Sequence, residues 1–227
     1  LEQKGDVPST IENYRRSRSI FEQLAAANPA DASIQDELAR AHETLGDGLG
    51  RSSNSRRERL QSYEAALSIR RNLLAQKPFD TKLRRSVGLT LLKVGGADDP
   101  NKAGSIENIR HGIGLLEALS AENPDNQPAR REVGFGYYQL GNTLLEAHDY
   151  AAALESWRKA FGIREQVAAK DPKNAQARFD LAVDHADLAE VLTATGAPDE
   201  ALAHARQALS ILQQLSDADP TNAVYWR

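Results

Sequence analysis

Residues 123–141 read Asn123-Pro124-Asp125-Asn126-Gln127-Pro128-Ala129-Arg130-Arg131-Glu132-Val133-Gly134-Phe135-Gly136-Tyr137-Tyr138-Gln139-Leu140-Gly141, and the architecture follows from how this stretch recurs. Pro124 pushes its predecessor out of the α region, so the helix before it must end. Asn126, two positions on, suits a helix N-cap, where its side-chain oxygen accepts an orphaned backbone N–H. The same signal appears at Pro29, Pro78, Pro124, Pro172 and Pro220, at nearly constant intervals along the chain. Two positions after them stand Asp31, Asp80, Asn126, Asn174 and Asn222. A fixed period of this size is the mark of stacked repeats rather than one globular core.

Aligned on the prolines, the first helix of each repeat shows constant columns. Nine residues after the proline come Leu38, Val87, Val133 and Leu181; sixteen after it, Leu45, Val94, Leu140 and Leu188; seventeen after it, Gly46, Gly95, Gly141 and Ala189. The second helix carries Ile11, Leu60, Ile106, Leu154 and Leu202, then Tyr14, Tyr63, Ile109, Trp157 and Ala205. Further on come Ser17, Ala66, Gly112, Ala160 and Ala208, then Ile20, Ile69, Leu115, Ile163 and Ile211, and finally Leu24, Leu73, Leu119, Val167 and Leu215. Steps of three and four residues trace one helical stripe, which no strand would produce. The spacing predicts first helices near 31–49, 80–96, 126–146 and 174–195. It predicts second helices near 8–27, 55–76, 100–122, 150–169 and 198–216. Gly112 and Gly114 fall inside a helix, where glycine is costly; they mark either a drifted repeat or a close helix crossing.

The pattern resembles the tetratricopeptide repeat, through Leu140-Gly141, Leu144, Ala153, Trp157, Ala160 and Pro172, and again through Leu188-Ala189, Leu192, Ala201, Ala205, Ala208 and Pro220. That family's usual period is about 34 residues, and the excess here amounts to about two extra turns in each helix. The resemblance implies an all-α fold: a right-handed solenoid of antiparallel helix pairs, about four and a half repeats of 46–49 residues. The units are expected at residues 1–29, 30–78, 79–124, 125–172 and 173–220, with another repeat starting at 221–227 and the whole forming one solenoid. Such long repeats also look like those attached to bacterial signalling proteins, including serine/threonine kinases.

In that family the first helices line a concave surface that binds partners. Carried over by column, the contacts fall at positions 7, 11, 14 and 18, each counted from its own proline. In the first repeat they are Asp36, Arg40, Glu43 and Asp47. The later repeats supply the expected partner-binding set: Arg85, Leu89 and Leu92; Arg131, Phe135, Tyr138 and Asn142; Phe179 and Val183. This groove, apolar and aromatic with Arg85 and Arg131 beside it, suits a peptide or helix with hydrophobic anchors and an acidic group, which arginine grips through two hydrogen bonds. The alternative placement for its apolar residues is interior packing. The resemblance thus implies a non-catalytic protein-interaction module. The alternatives are a structural spacer or self-assembly module, and a regulatory ligand-sensing segment of a signalling protein.

Little in the 227 residues points to chemistry. There is no cysteine, hence no thiolate and no disulfide framework. His42 and His185 share a column with Leu91 and Tyr137, the pattern of packed structural histidines. Asp184-His185 with Asp187 lacks further convergent ligands at zinc spacing, so no metal site is expected. Gly134-Phe135-Gly136 lies mid-helix, follows no strand and lacks the third glycine of a dinucleotide loop. No nucleophile–base arrangement, cofactor motif or catalytic residue stands out, and no enzyme is expected.

Charged residues make up 26% of the chain and the formal net charge is −4, with no global drive toward nucleic acid. Residues 51–110 nevertheless hold 13 Lys/Arg against 6 Asp/Glu, and residues 181–220 hold 1 against 7. The basic cluster Arg51, Arg56, Arg57 and Arg59 falls in the longest turn, with no aromatic platform for bases beside it. It reads as solvated turn charge or an electrostatic docking patch. No apolar run approaches the roughly 20 residues of a membrane span, and no signal-peptide pattern opens the chain; a cytoplasmic protein without membrane or nucleic-acid partners is expected. The chain starts at Leu1 in mid-repeat and stops just after a repeat restarts, the expectation being a piece of a longer bacterial protein that self-associates through exposed solenoid ends.

Overall fold

A computed structural model describes residues 7–50, 55–222 and 224. Among these the chain is all-helical: α1 Val7–Ala27, α2 Ala32–Leu49, α3 Arg56–Gln76, α4 Thr81–Ala97, α5 Ala103–Glu122, α6 Gln127–Glu146, α7 Tyr150–Lys170, α8 Ala175–Ala194 and α9 Pro198–Ala218. The expected spans and the observed helices agree within three residues at every end. The largest difference is the start of α5, where Pro100 to Lys102 form a turn instead. There Asp99 accepts the N–H of Asn101 on its side chain and that of Lys102 on its carbonyl.

Pro29, Pro78, Pro124 and Pro172 each stand in the turn that ends a second helix, and the residue two positions on caps the next helix. Asp31 accepts from the N–H groups of Ser33 and Ile34 at 2.8 and 3.2 Å. Asp80 accepts from Lys82 and Leu83 at 2.9 and 3.0 Å. Asn126 and Asn174 each accept one N–H, from Ala129 and Ala177.

Two compact units emerge, Leu1–Leu119 and Ser120–Arg227. In the first, α1 packs on α2, α2 on α3 and α3 on α4. In the second, α6 packs on α7, α7 on α8 and α8 on α9. Each unit therefore shows the array of helix pairs that the period predicts.

The column of small residues has a direct physical cause. A Cβ on Gly141 would stand 2.5 Å from the Trp157 ring, and one on Gly46 would collide with the Tyr63 ring. Gly95 faces Ile109 in the same way. Where the large residue shrinks to Ala205, the glycine becomes Ala189. The pair is thus a knob and its hole, alternating in size together. Gly112 settles as a close crossing: a Cβ there would come within 2.7 Å of the Gly88 carbonyl on α4. Gly114 has open space around it, so packing gives no reason for that glycine.

Buried stripes complete the cores. In α7, Ala153, Trp157, Ala160 and Val167 are buried; in α9, Ala201, Ala208 and Leu215. Leu202, expected on this stripe, is 50% exposed, because the stripe runs through Ala201 instead. Two matching turns close the hairpins of the second unit. His148 and Gly196 occupy the same place in successive repeats, and both adopt positive φ, 61° and 83°. Each lets the following N–H bond back across the turn, Asp149 to the Leu144 carbonyl and Ala197 to that of Leu192.

Candidate functional site

The outer surface of the first helices is built differently at its inner and outer columns. Position 18 is held by the large residue of the following second helix. The Tyr63 hydroxyl donates to Asp47 at 2.8 Å, and the Trp157 indole N–H donates to Asn142 at 3.1 Å. Burial, with the Asp47 carboxylate behind it, pushes the Tyr63 phenol well above the ordinary tyrosine range. Position 14 is held by a buried arginine one step beyond the isoleucine column. Arg70, 4% exposed, donates to Glu43 at 2.8 Å and also to Thr90. Arg164 lies over the Tyr138 ring at 4.9 Å and donates to Asp184 at 2.5 Å.

Thr90 and Asp184 share a column, two positions before that of Leu92 and Tyr138. In each unit, then, one arginine of a second helix ties position 14 of the preceding first helix to this earlier column of the following one. Around this tie lie further polar contacts. In the first unit Lys93 bridges Glu43 at 3.2 Å and Asp47 at 2.9 Å. Burial would raise the Glu43 carboxyl, but Arg70 and Lys93 outweigh it and hold it below the usual carboxylate range. In the second unit burial raises the Tyr138 phenol above the ordinary tyrosine range. Burial pushes the Asp187 carboxyl up. Asp184 is 3% exposed; burial first, then Asp187 and Asp180, push its carboxyl up to about 7 against the pull of Arg164.

These networks correct the expected groove. Leu92 is fully buried and packs toward Gly112 of α5; it is core, because position 14 of α4 turns inward where no arginine fills the gap. The Asn142 side-chain oxygen is taken by the Trp157 indole N–H. Tyr138 is half-buried under Arg164. Leu89, Phe179 and Val183 are half-buried and Arg85 is exposed.

What remains accessible in the second unit is the outer pair, Arg131 and Phe135. They line a cleft of about 370 Å³ with Pro128, Glu132, Arg164 and Asp180. Phe135 is 40% exposed and offers its ring at the edge of this cleft. Arg131 already grips a carboxylate, Asp180, at 2.9 Å, and Asp180 takes a second bond from Gln176 at 2.7 Å. The expected arginine therefore forms part of a mixed-charge rim and is not a bare cation. In the first unit a smaller cleft of about 250 Å³ touches Asp36, Leu73, Lys77, Asp80 and Leu83 and has no exposed aromatic ring.

The basic cluster has a structural task in part. Arg56 donates to the carbonyls of Ala97 and Asp98, the orphaned C-terminal end of α4. Arg51 lies outside the described residues. His42 and His185 are packed, as their shared column predicts, with His185 9% exposed. Burial lowers the pKa of His42. Among the described residues no three His, Asp or Glu side chains converge as metal ligands, and no helix is long and apolar enough to cross a membrane.

The class is thus an all-α array of helical hairpins with glycine–aromatic seams and an exposed cleft on the first-helix face of its second unit. Residues 186–221 match the family model of the tetratricopeptide repeat. The structure resembles TTC0263, a thermophilic tetratricopeptide-repeat protein of Thermus thermophilus, at 18% identity and a TM-score of 0.53, over 93% of this chain and 86% of that one. A MamA double mutant (RS-1) aligns at 17% identity and a TM-score of 0.48, over 95% of this chain and 99% of that one. No curated protein matches the chain. The family match covers residues 186–221, and the likeness to the Thermus thermophilus protein shows a shared all-α fold.

Proposed function

We propose that the chain is a non-catalytic protein-interaction module that takes a peptide or helix on its first-helix face, within a larger bacterial signalling protein. The observation that carries this reading is the exposed Phe135 ring beside an open cleft whose other walls are polar. A hydrophobic side chain of the partner would cover Phe135, while Arg131, Glu132 and Asp180 hydrogen-bond its flanks. Phe179 and Val183 of the same unit would extend the contact, and Arg85 and Leu89 would offer a separate surface on the first unit. Tyr138 under Arg164 and Asn142 against Trp157 take no direct part, and Leu92 belongs to the core of the first unit. Peptides selected from a displayed library on the full chain should lose about thirtyfold in affinity on Phe135→Ala, the scale of a buried aromatic anchor. Peptides that bind equally well to the Phe135→Ala protein would overturn the reading.

A second reading rests on separate residues. Ile20 and Leu24 of α1 are 57% and 43% exposed, and Leu202 and Leu209 of α9 are 50% and 67% exposed. Apolar stripes of this kind on the first and last described helices suit self-association, the spacer or self-assembly role. Sedimentation velocity should then show a mass that rises with concentration and falls on Leu209→Glu. A constant monomer mass up to high concentration excludes this role.

A further inference from the structure

Between α8 and α9 two imidazoles meet. His185 and His204 bring their Nδ1 atoms to 2.8 Å, with ring centroids 5.0 Å apart and planes inclined at 50°. Phe161 of α7 closes the seam edge-on, its centroid 4.7 Å from the His185 ring and 5.8 Å from the His204 ring. His185 is nearly buried and His204 is half-exposed. The column of His204 carries Asn13, Ser62, Asn108 and Ser156 in the other repeats, and that of His185 carries His42, Leu91 and Tyr137. A histidine stands in both columns in this hairpin alone.

Two neutral rings in this pose share one proton between their Nδ1 atoms, one donating and the other accepting. Both nitrogens therefore point at a common place. A transition ion fits the same place: nitrogen–metal bonds of about 2.0–2.1 Å at tetrahedral or right angles put the two nitrogens about 2.8–3.4 Å apart. The rings need to part by a few tenths of an ångström at most.

We propose that His185 and His204 form a two-histidine site for a divalent transition ion of the imidazole-preferring class, Zn²⁺ or Ni²⁺, bound through both Nδ1 atoms and clamping α8 to α9. Imidazole is the ligand these ions favour. On binding, the ring that donates the shared proton moves it to Nε2, so both Nδ1 lone pairs face the ion and no proton need leave. No third His, Asp or Glu of the described residues converges there, and Asp184 is occupied by Arg164. Water fills the remaining positions, reached past the half-exposed His204. The site is open, unlike a four-ligand structural zinc centre.

The test is calorimetric titration of Zn²⁺, and separately of Ni²⁺, into the full 227-residue chain. One saturable site per chain is expected, weakened at least tenfold by His204→Gln. The double variant His111→Gln with His148→Gln, which removes two exposed histidines, should bind as the parent does. His204→Phe provides a second loss variant should His204→Gln disturb the helices, with circular dichroism reporting on that. Absence of a saturable site overturns the proposal, and so does binding that survives both His204 variants. Loss in the His111/His148 variant, which would place the ion elsewhere, also overturns it.

Discussion

Trp157→Ala should lower the unfolding free energy of the second unit by roughly 3–5 kcal/mol, the range for a large aromatic removed from a site that cannot collapse. Trp157 is 4% exposed, and its ring lies directly on Gly141, where a Cβ would come within 2.5 Å. No side chain opposite can swing in to fill the void, since the partner has none. The loss includes one hydrogen bond, leaving the Asn142 oxygen without its indole donor. The equivalent contact of α8 and α9 shows the small-residue solution, Ala189 against Ala205. Gly141→Ala should therefore cost far less in the Trp157→Ala protein than in the parent, a coupling that a double-mutant cycle in urea would read. A loss below about 1 kcal/mol for Trp157→Ala, the level of an ordinary surface change, would show that the ring is not packed this way.

The fold was legible because its signals are local and repeated. A proline and a cap two residues on act within one turn of chain, the small residue seventeen on meets the next helix of its own hairpin, and repetition averages out the exceptions. Gly112 shows where locality stops. The glycine was visible as an anomaly, but whether it marked drift or a crossing depended on Gly88 of another helix. The site was legible by halves. Counting columns located Arg131 and Phe135 on the cleft, since family geometry carries over along a regular helix. It did not show that Leu92 is buried or that Tyr138 and Asn142 meet Arg164 and Trp157, because nothing in a column says whether a second helix sends an arginine or a tryptophan to meet it. Arg70 and Arg164 occupy a column that elsewhere holds Phe21, Leu116 and Leu212. A charge in an apolar column was the available signal, and position alone does not name the carboxylate it faces. His204 left no signal at all until α9 was laid against α8.

Removing Arg164 should be nearly as damaging as removing Trp157, and the reason is electrostatic. Arg164 and Asp184 form an ion pair at 2.5 Å with side chains 11% and 3% exposed. Above about pH 8, where Asp184 is ionised, Arg164→Leu leaves it buried without its cation, a change that typically costs about 3–5 kcal/mol. Replacing both, Arg164→Leu with Asp184→Leu, should restore most of that stability, because the paired charges repay little beyond their own desolvation. The pH dependence gives an independent check. Asp184, pushed up to about 7, binds its proton more tightly folded than unfolded, where it titrates near 4. Its contribution to stability is therefore complete below about pH 4 and is lost as the pH rises through about 7. His185 acts in the opposite sense: held down to about 4, it adds stability above about pH 6.5 that disappears as the pH falls toward 4. Between these limits the two oppose each other, and Asp184→Asn should expose the histidine alone. The unfolding midpoint of Asp184→Asn should then rise steadily from about pH 4.5 to about pH 7, where the parent changes little. If the two proteins show the same slope, Asp184 is ionised throughout and the pair with Arg164 is a stronger bond than its burial implies.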